Sequence, residues 1–346
     1  MRKVLLKKGG SIMRKVLLMI IISILALSIN VFAEESEKGS ASDITIKFAL
    51  FTTTDHPGYI AATQFANNVT QRTNGAIKFE LYPNNELGNP PEVLEQNILG
   101  VIDMSTPTQG SLDKYSKKFA AVMCPFVFDG YEHAWRVLDG PFAEWAAPDL
   151  EEQGLVLLST WEYGFRQITN SVRPIHSVED LKGLKIRVPP EVQFVAAFEA
   201  AGCSVQQIAF NELYLSLQQG VVDGQENPLA VIYNKKLFET QDYLAISNHI
   251  YSSQVHVISK SVWDKLTDTQ QKIIKEESEN ARDYMRKLVV EQEEDYISKL
   301  KDVGMEVTYP DPEGFREAMK KAYDVIRKYA GAENVDYFLE MAERLR

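Results

Sequence analysis

The stretch Leu181–Pro228, LKGLKIRVPPEVQFVAAFEAAGCSVQQIAFNELYLSLQQGVVDGQENP, decides how the rest of the chain is read. KIRV, Lys185–Val188, reads as a short β-strand between Gly183 and the Pro189–Pro190 pair. From Glu191 to Ala201 the apolar residues Val192, Val195, Ala196 and Phe198 recur at helical spacing, and Gly202 stops the helix. Cys203–Gln206 predicts a second strand. NELYLSLQQG predicts a second helix, with Asn211 as its cap and Leu213, Tyr214 and Leu217 on its apolar face. Strand–helix–strand–helix–strand is the pattern of an open parallel sheet, where ligands collect beyond the carboxyl ends of the strands. Arg187 lies at such an end, as do Phe210 and, after VVDG, Asn227 of the QEN triplet.

An arginine there has two readings. Its guanidinium is always charged and presents a rigid fork of donors that fits a carboxylate with two parallel hydrogen bonds. It can equally be consumed in an internal ion pair, and Glu191 and Asp223 are near enough in sequence to serve.

DLKGLKIRVP and AFNELYLSLQQGVVDGQENP, together with LYPNNELGN (Leu81–Asn89) and GFRQITNSVRPI (Gly164–Ile175), resemble the signature of the DctP family. These are the solute receptors of tripartite ATP-independent periplasmic (TRAP) transporters. The likeness runs over nearly the whole chain after its leader. It implies an α/β fold of periplasmic-binding-protein type: two doubly wound α/β domains with a ligand cleft and a long domain-spanning helix. It also implies a small organic acid as ligand, and as partner a membrane permease with a small and a large subunit. In that family the arginine of the IRVP strand, here Arg187, clamps the ligand carboxylate. Phe210 matches the family's cleft phenylalanine and Asn227 its ligand amide. Thr108 falls where relatives bring a polar side chain from the first domain.

The first residues read as a targeting segment. Met13-Arg14-Lys15, Val16–Leu27 and Val31-Phe32-Ala33 supply the basic start, apolar core and small-residue cleavage site of a secretory signal. MRKVLL occurs at Met1 and again at Met13, so Met13 is a candidate initiator. The apolar run is short for a transmembrane helix. Cleavage near Ala33 and a periplasmic location are therefore expected, with an uncleaved anchor as the alternative. EESEKGSAS, residues 34–42, reads as a flexible leader. The net charge is −11, and residues 1–33 carry basic groups only, so the exported chain is more acidic still. That balance argues against nucleic acid or an anionic membrane as partner and requires an acid-binding site to be locally basic. Cys124 and Cys203 sit in apolar text as small buried side chains; export would permit a disulfide, which spacing does not establish. The five histidines are scattered, without metal-ligand spacing, and no cofactor is expected.

Taken in order, Ile44–Leu50, Ile77–Leu81 and Val101–Ser105 predict strands, separated by a helix to about Thr73 and another over Pro90–Leu99. This is βαβαβ, with ligand-side loops at Thr52–Gly58, Gly88–Glu92 and Thr106–Gly110. His56 and Glu92 become candidates through those loops alone. Helical text from Glu132 to Glu152 leads to a strand at Leu155–Ser159, and WEYGFRQITN then places Arg166 near a crossover. Strands at Tyr243–Ile246 and Val255–Ser259 precede unbroken helical text from Thr267 to about Val303, capped by Thr267 with Gln270. A strand at Met305–Thr308 and two helices finish the chain. Domain 1 is expected over 43–164 plus about 253–292, and domain 2 over 165–252 plus about 293–346.

Several candidates keep two readings. Trp161 and Tyr163 either wall the ligand or pack a domain junction. Glu191, opening a helix beside Arg187, either accepts hydrogen bonds from ligand hydroxyls or satisfies the helix dipole and faces solvent. Glu162 is a further acceptor candidate. Glu191 and Glu162 favour a sugar acid, a hexuronate or an aldonate; Arg166 as a second arginine would suit a C4-dicarboxylate, and keto acids are a further option. No nucleophile elbow, zinc-protease motif, P-loop or dinucleotide fingerprint supports catalysis, leaving an exported hydrolase as the rival class.

Overall fold

Two long, directly paired strands, residues 155–170 and 251–259, run through the middle of the sheet, and the first of them contributes Tyr163 and Arg166 to the site. The computed structural model describes residues 43–346, and the expected signal peptide (1–33) and leader (34–42) lie outside the described residues. The elements follow the order β1 (Ile44–Ala49), α1 (Pro57–Arg72), β2 (Ile77–Tyr82), α2 (Pro90–Ile98), β3 (Met104–Ser105), α3 (Phe119–Val122), α4 (Tyr131–Asp139), α5 (Pro141–Glu152) and β4 (Leu155–Asn170). They continue with β5 (Lys185–Val188), α6 (Val192–Ala200), β6 (Ser204–Gln207), α7 (Leu213–Gln218), β7 (Gly224–Pro228), α8 (Leu229–Asn234), β8 (Tyr243–Ala245) and β9 (Tyr251–Ser259). The chain ends in α9 (Lys260–Trp263), α10 (Asp268–Asp302), β10 (Glu306–Thr308), α11 (Pro312–Met319), α12 (Ala322–Ala330) and α13 (Ala332–Arg344).

The sheet runs β2-β1-β3-β9-β4-β7-β5-β6, with β8 on β4 and β10 on β8. The pairs β1–β3, β5–β6 and β5–β7 are parallel, as the βαβ text requires. In contrast, β9 is antiparallel to β3 and β4, and β4 is antiparallel to β7 and β8, so the sheet is mixed. The strand expected at Leu155–Ser159 is sixteen residues long. Its first part, through Phe165, pairs with β9; from Arg166 onward it pairs with β7, and from Ile168 with β8. β4 is buried on both faces over most of its length, so it lacks the alternation that marks a one-sided strand. Register shifts occur at Leu157/Ser159 and Glu162/Gly164. Gly164 holds φ +112, which only glycine adopts readily, so the second bulge depends on it.

Other boundaries also differ from the sequence reading. The strand expected from Val101 is reduced to Met104–Ser105, because Leu99 and Val101 are exposed loop residues. Asn211 lies inside a 3-10 turn, Phe210–Glu212, that runs directly into α7, and so does not cap it. Three helices rather than two follow β10.

α10 is one continuous helix, begun by the Thr267–Gln270 capping box. Its Ser278 fastens it to the crossing strands. Trp161 Nε1 donates to the Ser278 carbonyl (3.0 Å), and the Ser278 hydroxyl meets Ser159 Oγ (2.6 Å) and His256 Nδ1 (2.7 Å). Further along, Tyr296, Ile297 and Leu300 join a core with Leu213, Leu217, Leu229 and Ile232. Residues 45–346 form one compact unit, and one apolar core links α3–α5 to α6 and the last three helices. No helix among the described residues is long and apolar enough to cross a membrane.

Candidate functional site

Arg187 lies in β5, with β6 and β7 on either side, so its side chain rises from the middle of a parallel trio. It is 1 % exposed. Its Nε and Nη2 both donate to the Ile208 carbonyl (2.8 and 2.6 Å), and no ion pair is formed with an acidic residue among those described. Asp223, one of the two acids considered for it, instead accepts from the Lys185 backbone (2.8 Å). Loss of water lowers the Arg187 pKa to about 10, with Glu226 opposing the shift. A buried cation without a counter-ion is costly unless something anionic joins it.

That guanidinium opens into a cavity of about 230 Å3. Of the eight candidate residues, Arg187, Arg166, Asn227, Phe210, Glu191, Thr108 and Glu92 line it. His56 does not: it caps α1, its Nδ1 accepting from Gly58 N (2.9 Å), and burial pushes its pKa down to about 3. The loop Thr52–Gly58 contributes nothing to the lining; Phe51, just before it, does. Glu92 also closes the capping box of α2, accepting from Asn89 N (2.9 Å).

Arg166 is in a different state. It pairs with the buried Glu226 through Nε and through Nη2 (2.8 Å to Oε1), while Nη2 also reaches Glu226 O (2.9 Å) and Asn227 Oδ1 (3.1 Å). Nη1 donates to Ser252 Oγ at 3.3 Å. Burial alone would raise the Glu226 carboxyl, but Arg166 and then His249 (3.4 Å) hold it below its ordinary value. Arg166 also sits 4.6 Å over the Phe194 ring. Asn227 Nδ2 donates to Gln225 Oε1 (2.5 Å), which fixes the amide.

Glu191 is the N-terminal cap position of α6 but makes no cap hydrogen bond with its side chain. The carboxylate turns to Thr108 Oγ1 (3.2 Å) and Ser111 Oγ (3.4 Å), and its second oxygen, Oε2, is enclosed without a partner. Desolvation raises its pKa to about 7, against the pull of Arg166 and with a smaller push from Asp113. Glu162 departs from the expected acceptor role. It is fully buried away from the cavity, taken up by Trp135 Nε1 (2.7 Å), Tyr251 OH (2.9 Å) and Tyr163 N (3.0 Å).

The two aromatic candidates separate: Tyr163 lines the cavity, and Trp161 packs with Phe48, Phe65 and His256 under α10. Phe51, Phe210 and Tyr163 form an edge-to-face series along one wall (5.8 and 5.4 Å between rings). Sequence reasoning missed Phe194, Asp113, Ser111 and the Glu226 partner of Arg166. Phe194 follows the Arg187 strand by one helical turn, and Glu226 is the middle residue of QEN, so both were adjacent to residues singled out. Cys124 and Cys203 are both free thiols. Among the described residues no group of three or more His, Cys, Asp or Glu side chains is placed to hold a metal. The arrangement suits equilibrium capture of a small anion: a cation, an amide, hydroxyls and rings line one partly open cavity.

Comparison with known proteins gives a consistent result. The profile of the family described as "Bacterial extracellular solute-binding protein, family 7" (DctP) matches residues 48–329. The sialic acid-binding periplasmic protein SiaP of Vibrio cholerae is 36 % identical over 280 residues, 81 % of this chain and 87 % of that one. The C4-dicarboxylate-binding periplasmic protein DctP of Rhodobacter capsulatus is 30 % identical over 319 residues, 90 % and 92 % of the two chains. Among solved structures, a TRAP periplasmic solute-binding protein of Polaromonas sp. JS666 bound to D-erythronate superposes with a TM-score of 0.82 at 34 % identity, over 85 % of this chain and 98 % of that one. The sugar acid binding protein DctPAm of Advenella mimigardefordensis, in complex with galactonate, gives a TM-score of 0.84 at 29 % identity, over 88 % and 99 %.

Proposed function

This chain belongs to the DctP family of bacterial extracellular solute-binding proteins, and from that premise we propose that it is the TRAP receptor for a sugar acid, a hexuronate or an aldonate. Arg187 carries the reading: a buried guanidinium with no acidic partner faces a partly open cavity of ligand size. A ligand carboxylate supplies the missing charge. Asn227, Thr108 and Glu191 stand around the rest of the ligand, able to exchange hydrogen bonds with hydroxyls. Relatives with bound erythronate and galactonate support the same class.

The second reading is a C4-dicarboxylate, which the Rhodobacter relative binds. It ranks lower because Arg166, the cation that would meet a second carboxylate, already pairs with Glu226. The rest of the proposal follows the family. Residues 1–33 direct export and are removed, the remaining chain closes on its ligand, and a two-subunit permease receives the loaded form. Closure would occur where β4 and β9 cross, about Trp161–Gln167 and Ser247–Val255, between domain 1 (43–164 plus about 253–292) and domain 2 (165–252 plus about 293–346).

A thermal-shift panel of organic acids tests the ligand, since a compound that binds only the folded state raises the melting temperature by mass action. The expected result is a shift with at least one hexuronate or aldonate. A shift with succinate, malate or fumarate and none with any sugar acid overturns the choice.

A further inference from the structure

We propose that Gly110 and Glu191 form the selectivity gate of the cavity, admitting a hydroxylated monocarboxylate and turning away a second carboxylate. The inference rests on the reading that Arg187 takes the ligand carboxylate. Glu191 Oε1 is held by Thr108 and Ser111, and Oε2 is left enclosed with no donor. Oε2 packs against Gly110 with no surface open to the cavity, so a ligand hydroxyl supplies the missing donor only when the carboxylate turns off Gly110. Backbone approach makes this posture possible: a Cβ at position 110 would stand 1.8 Å from Glu191 Oε2 and 2.5 Å from its carboxyl carbon. Only glycine leaves room for the carboxylate, so the two residues act as one device.

The charges around Glu191 set the sign of the selection. Asp113 lies on the same wall, its Oδ1 accepting from Tyr329 OH (2.9 Å) and its Oδ2 from Gln193 Nε2 (3.4 Å). Facing groups from the other elements are Arg166 on β4, Arg187 on β5 and Glu226 on β7, and Lys114 also lines the cavity. Arg166 and Glu226 pair with each other. Lys114 and Lys117 act on Asp113, so the like charge on that wall comes chiefly from Glu191, and the floor at Arg187 is cationic. A ligand with one carboxylate orients itself between them. A second carboxylate meets like charge at short range, in a cleft where screening is weaker than in bulk water. Burial raises both acids, with Tyr329, Gln193, Lys117 and Lys114 opposing the shift at Asp113 and Arg166 opposing it at Glu191.

Titration calorimetry on the full chain at pH 8, where Glu191 is mostly ionised, tests the gate with galactonate, glucuronate and succinate. The wild-type protein is expected to bind a sugar acid at least tenfold more tightly than succinate. Glu191→Gln, which keeps the shape, should weaken the sugar acid about tenfold or more and tighten succinate by a similar factor. Gly110→Ala should displace the carboxylate and reproduce the sugar-acid loss in an otherwise unaltered Glu191. A sugar-acid to succinate ratio unchanged in Glu191→Gln overturns the gate while leaving the receptor reading intact. Equal weakening of both ligands also overturns it, because a merely structural residue would act that way. Wild-type protein that binds none of the three acids counts against the sugar-acid reading and overturns the gate with it, while family membership stands.

Discussion

Arg166 and Arg187 line one cavity and are both buried, yet they are opposite cases. Arg166 is saturated: Glu226 takes two of its nitrogens, Asn227 and Ser252 the remaining directions. Arg187 touches one backbone carbonyl and has no acid. Burial pulls both guanidiniums towards the neutral form; Glu226 more than reverses this for Arg166, while Arg187 stays lowered. The lesson is that residue type and depth do not make a binding arginine. What decides is whether the fold supplies the counter-charge or leaves it to a ligand.

The contrast breaks most visibly at Glu226. Glu226→Ala leaves Arg166 buried and unpaired, and is expected to destabilise the fold by about 3–5 kcal/mol in denaturant melts. The pH dependence has a definite sign. The folded Glu226 pKa is depressed, so its contribution is fully present above the ordinary value of 4.5 and fades as pH falls through the folded value. Wild type and variant should therefore converge in acid. A loss as large at pH 3 as at pH 7 would show that packing, not the ion pair, was removed.

Arg187→Ala should do the reverse: leave melting in the absence of ligand near or above wild type, and weaken acid binding by about 2–5 kcal/mol in calorimetry. Arg187→Lys should fail to restore it, since an ammonium lacks the planar fork. Near-wild-type affinity in the lysine variant would refute the two-pronged clamp.

A smaller effect separates Glu191 from Glu226. The Glu191 pKa is raised to about 7 from an ordinary 4.5, so the folded state holds its proton more tightly and loses stability as pH rises between those values. Glu191→Gln should match wild type at pH 4 and melt higher at pH 8 without ligand. Identical melting at pH 8 would place the carboxylate in better contact with water than its neighbours allow.

The smallest expected effect belongs to His56. His56→Ala removes the α1 cap, costing about 1 kcal/mol of stability, with ligand affinity unchanged. Lost affinity at unchanged stability would restore His56 to the site.

The sequence was legible where local pattern and tertiary structure agree. KIRV, the helix after Glu191 and the long helix capped at Thr267 carry their own local pattern and formed close to their expected bounds, while the helix expected over NELYLSLQQG shortened to Leu213–Gln218. β4 was read too short because a strand covered on both sides shows no alternation to follow. Glu226 stood beside the candidate Asn227, but the partner of Arg166 lies sixty positions away and is set only by the β4–β7 register. Glu191 was recognised as a candidate, yet its direction depended on Gly110, eighty-one positions back on a different element. Pairings across that separation leave no spacing signal.

α10 has a mechanical consequence. Thirty-five residues at about 1.5 Å each make a rod of about 52 Å, clamped near one end by Ser278 and lying against α8 near the other. Such a rod is a splint, stiff along its length and free to slide only where its contacts are side chain on side chain. Tyr233 and Tyr296 fall in the same proposed domain, so opening of the cavity would be felt where α10 passes from one domain to the other, about residue 292, rather than between those two rings. Spin labels on α8 and at the far end of α10 should keep a constant separation on ligand addition, while a label on β1 shifts against both.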